Sequence, residues 1–167
     1  MTVVDQLLEN NRLYSQRFTS GDLGAAPALG IAVVACMGAR VVVSRILGLQ
    51  EGKAQFIRRA GVVITEDTIR SLVISQRLLG TTEVILIHHR NCGMLSFRDD
   101  AVDAVKEEIE RETGIRPPFA LEAFPDVEAD VRQSIARLRA NPFIPHTDRV
   151  HGFVYDVATG LLEEVRP

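Results

Sequence analysis

Apolar residues along this chain alternate between two patterns. Unbroken runs, Ile31-Ala32-Val33-Val34-Ala35 and Val84-Ile85-Leu86-Ile87, have the length and continuity of strands buried on both faces. Elsewhere the apolar positions recur at helical spacing. Residues 5–18 place Leu7, Leu8, Leu13, Tyr14 and Phe18 on an amphipathic helix, and the Gly/Ala/Pro stretch from Gly21 to Gly30 sets it apart as an arm. Val41 to Leu47 predicts a helix closed by Gly48, and Ala54–Arg58 a second strand. Thr65-Glu66-Asp67 opens a strong helix, with a cap residue, two acids at the positive end and Gly80 just past the close. Its positions Ile69, Leu72, Val73, Ile74, Leu78 and Leu79 form a broad stripe expected to be buried.

Glu83–His88 reads as the third strand, and residues 100–112 and 126–139 as two further helices. In the second of these, Val127, Val131, Ile135 and Leu138 recur at steps of 4, 4 and 3. The segment 113–125, with Pro117, Pro118 and Pro125, reads as a loop. Val150–Asp156 and Leu161–Val165 flank Ala158-Thr159-Gly160, a strand–turn–strand signal. Strands alternating with helices predict an α/β fold: a mostly parallel four-stranded sheet with an antiparallel edge strand, flanked by helices, with an N-terminal helical arm. The expectation is a single domain over residues 1–167, of which 1–29 are the arm and its linker.

Composition narrows the function classes. With 46% hydrophobic and 25% charged residues, 167 residues suffice for one real core. A net charge of −3 offers no broad basic surface for nucleic acid. The first residues carry charges throughout, unlike a signal peptide, and no apolar stretch approaches the roughly 18 residues of a membrane span. The expected compartment is the cytoplasm, where two cysteines point to metal or reactivity rather than a disulfide.

Those cysteines bracket the candidate chemistry. Cys36 ends the first apolar run, and His89 and Cys92 follow the second. In an open parallel sheet, sites form beyond the carboxyl ends of strands at a switch point, so this topology can bring the three together. Two thiolates and an imidazole are three of the four ligands of a tetrahedral zinc, with one position left for water or another ligand. His88 is adjacent, but neighbouring strand residues point to opposite faces, so only one of the pair is expected to ligate. Taken singly, each cysteine is also compatible with a small core residue, and His89 with a hydrogen-bonded core histidine.

Three segments carry a family resemblance: Cys36-Met37-Gly38-Ala39-Arg40, Ile57-Arg58-Arg59-Ala60-Gly61 and His88-His89-Arg90-Asn91-Cys92-Gly93-Met94. Together they resemble the β-class carbonic anhydrases, most closely the short, mycobacterial-like form, over nearly the whole chain. The resemblance implies a zinc lyase with Cys36, His89 and Cys92 as metal ligands and Arg40 as a catalytic residue. It implies hydration of carbon dioxide to bicarbonate, and assembly as a homodimer or a tetramer of dimers.

The chain departs from the family pattern where it matters. The C-x-D-x-R motif has an aspartate where this chain has Gly38. Arg59 stands where the R-N-A-G pattern has asparagine, and Asn91 where relatives of the short form have aspartate. Carboxylate is lost and cationic charge gained around the expected metal. Arg40, without its anion, is expected to turn to solvent, to backbone carbonyls, to another acid or to an anionic ligand. The expectation is weak hydration. The alternatives are a silent zinc homologue binding bicarbonate or another anion through Arg40 and Arg59, a hydrolase of carbonyl sulfide or carbon disulfide, or a metal-free redox protein using the two cysteines. His146 and His151 read as surface histidines, and Glu107-Glu108-Ile109-Glu110 as a solvated helix face.

Overall fold

Ile31–Cys36 (β1) is the fully buried strand on which the rest of the chain is hung, with every residue from Ala32 to Cys36 buried. The computed structural model describes residues 1–96 and 99–167, without the side chains of Ser96, Asp99 and Asp100. β1 pairs in parallel with Ala54–Arg59 (β2) on one side and Glu83–His89 (β3) on the other. Val150–Tyr155 (β4) adds in parallel to β3, and Leu162–Val165 (β5) closes the edge antiparallel to β4. The order is β2-β1-β3-β4-β5. Four parallel strands and an antiparallel edge thus match the sequence pattern. Because β1 lies between β2 and β3, the chain departs to opposite sides there, and the switch point falls between the ends of β1 and β3.

The helices are Val3–Ser15 (α1), Val43–Ile46 (α2), Glu66–Leu78 (α3), Gly93–Ser96 (α4), Asp99–Thr113 (α5) and Val127–Arg139 (α6). Local chemistry sets their starts. Thr2 and Asp5 exchange backbone and side-chain hydrogen bonds in a capping box, and Asp126 accepts from the Ala129 amide at 2.8 Å. The expected 41–47 helix is only a single turn, and the arm helix begins and ends earlier than its apolar pattern implied.

Alternation along β1 divides the core. Ala32, Val34 and Cys36 join Leu72 and the Val127, Val131, Ile135 and Leu138 face of α6 in the larger cluster. Val33 and Ala35 face the other way, with Val41, Val43 and Ile87. Gly152 of β4 permits the close approach of α6: a β-carbon there would lie 2.3 Å from Val131. On α3 the broad stripe narrows. Leu72 is fully buried, but Leu78 is 75% exposed, because at about 100° per residue it lies roughly 120° round the helix from Leu72, while Ser75 and Gln76 of the same turn stay buried. The whole of α1 is exposed, although Tyr14 donates a hydrogen bond to Glu51 in the body of the chain.

Candidate metal centre

The ends of β1 and β3 bring Cys36, His89 and Cys92 together, all three buried, with their donor atoms within 4.8 Å of one another. Among the described residues no carboxylate joins them. The two sulfurs lie 3.8 Å apart, unbridged by a disulfide. Two Zn–S bonds of about 2.3 Å at the tetrahedral angle place their sulfurs about 3.8 Å apart, the spacing seen here.

The imidazole is oriented for the same purpose. His89 Nδ1 lies 2.9 Å from the Arg90 carbonyl, which can only accept, so Nδ1 carries the proton and Nε2 presents a lone pair. Nε2 is buried and has no hydrogen-bond partner. A buried acceptor left unpaired beside two thiols is a poor core arrangement and a good three-donor site. The donor set fits zinc.

The thiols are unequal without a metal. The Cys92 thiol donating to it, with help from His89 and the amides of Gly38 and Gly61, pushes Cys36 down to about 3 despite burial. The same pairing with Cys36, together with burial, pushes Cys92 up. The neighbouring Cys36 sulfur raises His89, against desolvation and against the Arg40 cation. One sulfur is thus readily anionic, and the second waits for a cation to replace its proton.

Of the residues around the donors, Arg59 departs from the sequence expectation. Gly38 faces the donors: a β-carbon there would lie 3.2 Å from His89 Nε2 and 3.8 Å from Cys36 Sγ. Arg40, of the four options open to it, takes a backbone carbonyl, donating to Asn91 O at 2.8 Å. Asn91 has a positive φ of 53°, a conformation asparagine tolerates well. Arg59 forms an ion pair with Asp67 of α3, so the cation gained at that position is neutralised within the chain. His88 points away from the metal donors, with Nε2 2.8 Å from Asp130 of α6. His146 and His151 are exposed, and so are Glu107, Glu108 and Glu110.

Two residues stayed without a role in the sequence reading. Arg58 donates through Nε to Cys36 O at 2.7 Å and through Nη2 to Gly38 O at 3.0 Å. Asp130 was hidden within a helix whose apolar spacing drew the eye. Its signal was a lone acid flanking Val131 on the buried face.

The model of the carbonic anhydrase family matches residues 31–162. The chain belongs to the β-class carbonic anhydrase family. It is 54% identical over 167 residues to β-carbonic anhydrase 1 of Mycobacterium tuberculosis, covering 100% of both chains. The crystal structure of a carbonic anhydrase from Streptococcus mutans superposes with a TM-score of 0.90 at 35% identity, covering 99% of each chain. A carbon disulfide hydrolase of Acidithiobacillus thiooxidans is 31% identical over 148 residues, 78% of this chain and 74% of that one.

Proposed function

We propose that this β-class carbonic anhydrase hydrates carbon dioxide to bicarbonate with zinc held by Cys36, His89 and Cys92, at a rate reduced by Gly38. The observation that carries the reading is the unpartnered Nε2 of His89 facing two sulfurs 3.8 Å apart at the β1–β3 switch point. Zinc bound there supplies a Lewis acid that lowers the pKa of water, although two thiolates offset more of its charge than neutral ligands would.

The chain's own residues prepare this site. The Arg90 carbonyl holds the proton on Nδ1, so His89 offers Nε2 at every pH where the imidazole is neutral. Amides of Gly38 and Gly61 stabilise the Cys36 thiolate. Gly38 faces the donors without a side chain of its own. Arg40 ties the loop after β1 to the loop between His89 and Cys92. No acid among the described donors receives the proton released on hydration, so that proton passes to solvent or buffer. Loss of a positioned orienting or acid–base group typically costs on the order of 10²–10⁴-fold in rate, which sets the expected deficit relative to a carboxylate-bearing site.

Stopped-flow hydration by zinc-loaded protein, with zinc content measured on the same sample, tests this reading. A hydration rate above buffer that disappears in Cys92→Ala supports it. A zinc-loaded chain no faster than buffer overturns it. Carbon disulfide is the second substrate to try, motivated by the 31% identical hydrolase and the open position at Gly38. Sulfide release without carbon dioxide hydration would move the assignment there. The anion-binding reading through Arg59 has less support, because Asp67 already occupies that guanidinium.

The assembly proposed is a homodimer or a tetramer of dimers. Its support is the exposed arm, on which Leu7, Leu8, Leu13 and Tyr14 each keep half or more of their surface open, apolar area that a partner subunit would cover. A cytoplasmic location is proposed with it. No described helix is long and apolar enough to cross a membrane.

A further inference from the structure

We infer that Arg58 is a positioning residue for the metal site, its guanidinium clamping the Cys36–Gly38 loop so that the donors keep their spacing without a carboxylate. This rests on the metal-site reading above. Arg58 lies near the end of β2, opposite Ala35 in the register. Its side chain reaches along the sheet edge to two carbonyls of the neighbouring loop, Cys36 O at 2.7 Å and Gly38 O at 3.0 Å. A planar guanidinium donating to both at once fixes the two peptide units relative to each other, which a single rotating donor cannot do.

The location gives this fork its consequence. The residue between the two carbonyls, Met37, is already tied to β2 through its amide and Arg59 O at 2.8 Å. Next to it is Gly38, whose carbonyl also accepts from the Val41 amide at 3.0 Å, and which without a β-carbon has more backbone conformations to lose than any other residue. A β-carbon at Gly38 would lie 3.8 Å from Cys36 Sγ, so this backbone sits beside the sulfur. Motion there moves the backbone next to Cys36, and with it the spacing of the donors. Arg58 acts where glycine has removed intrinsic stiffness.

A second arginine extends the lacing. Arg40, two residues beyond Gly38, donates to Asn91 O between the other two ligands. Three strand ends are thereby linked by guanidinium-to-carbonyl bonds: β2 to the β1 loop through Arg58, and the β1 loop to the β3 loop through Arg40. Among the described residues neither arginine is in an ion pair with a carboxylate. Both are committed to backbone. That commitment distinguishes Arg58 from Arg59, whose neighbouring guanidinium is turned to Asp67.

The test uses cobalt(II) as a spectroscopic stand-in for zinc, with the full-length chain as Arg58→Met and Arg58→Lys. Arg132→Met serves as control, because Arg132 pairs with Glu128 on the surface of α6. Partners that orient ligands typically cost 10–100-fold in metal affinity or activity when removed. Arg58→Met is expected to weaken cobalt binding by about that factor and to shift the d–d bands. The thermal midpoint of its metal-free form should match that of Arg132→Met. Arg58→Lys keeps the charge but not the fork, and is expected to show the same band shift. It also decides the question should the methionine variant fail to fold. Unchanged affinity and bands in Arg58→Met, or wild-type bands in Arg58→Lys, would overturn the positioning role alone. A wild-type chain that takes up no cobalt would overturn the metal-site reading beneath it.

Discussion

A β-carbon on Gly38 would stand 3.2 Å from Nε2 of His89, closer than most real β-carbons come to any neighbour. The position is therefore part of the metal site's wall, and whatever side chain occupies it is pressed against the donors. In this chain the wall is bare. A side chain placed there would start beside the same lone pair, so a one-residue change alters what a bound metal would meet.

The contrast between Leu72 and Leu78 on α3 gives a direct check on the core. Leu72→Ala is expected to destabilise the fold by about 2–5 kcal/mol, and Leu78→Ala by less than about 0.5 kcal/mol, in urea unfolding. Equal losses at both positions would mean that Leu78 is covered in the folded protein.

Asp130 joins α6 to the strand that ends in His89. Asp130→Ala leaves His88 Nε2 buried without its partner at 2.8 Å, beside an Nδ1 that already lacks one. The expected loss is about 1–3 kcal/mol in chemical denaturation. Its effect on zinc content should be small, since His88 faces away from the donors. A loss of zinc with unchanged stability would reverse that assignment.

Metal removal should be read as a stability change. Zinc that binds the folded chain and not the unfolded one adds about 4 kcal/mol when free metal exceeds its Kd a thousandfold. Chelation is expected to lower the thermal midpoint, with recovery on adding zinc back. Cys92→Ala should show the lower midpoint from the start and no response to either treatment.

The arm supplies an assembly prediction. Leu8→Glu combined with Leu13→Glu places charge on a helix with no buried residue in its own chain. The monomer's fold should survive, and light scattering should report a smaller particle than wild type. An unchanged mass would show that the arm does not hold the assembly together.

Much of this was legible in the sequence, for reasons particular residues make plain. Ile31–Ala35 and Val84–Ile87 read as buried strands because nothing polar interrupts them, and both are. Val127, Val131, Ile135 and Leu138 kept their helical step and all four are buried. Leu78 broke the same rule on α3, because periodicity marks an apolar face without saying how far its cover extends. Cys36, His89 and Cys92 could be grouped from residue type and strand ends alone. The arginines could not be placed. Arg40, Arg58 and Arg59 have long side chains whose partners, Asn91 O, the Cys36 and Gly38 carbonyls and Asp67, lie on other loops and elements. Only the folded arrangement tells a guanidinium aimed at an incoming anion from one already spent on the backbone.

Stopped-flow carbon dioxide hydration by the zinc-loaded chain beside its Gly38→Asp variant tests the central claim most directly. The account predicts a wild-type rate measurably above buffer and a variant faster by on the order of 10²–10⁴-fold. Equal rates at the buffer level in both proteins, each holding zinc, would contradict it.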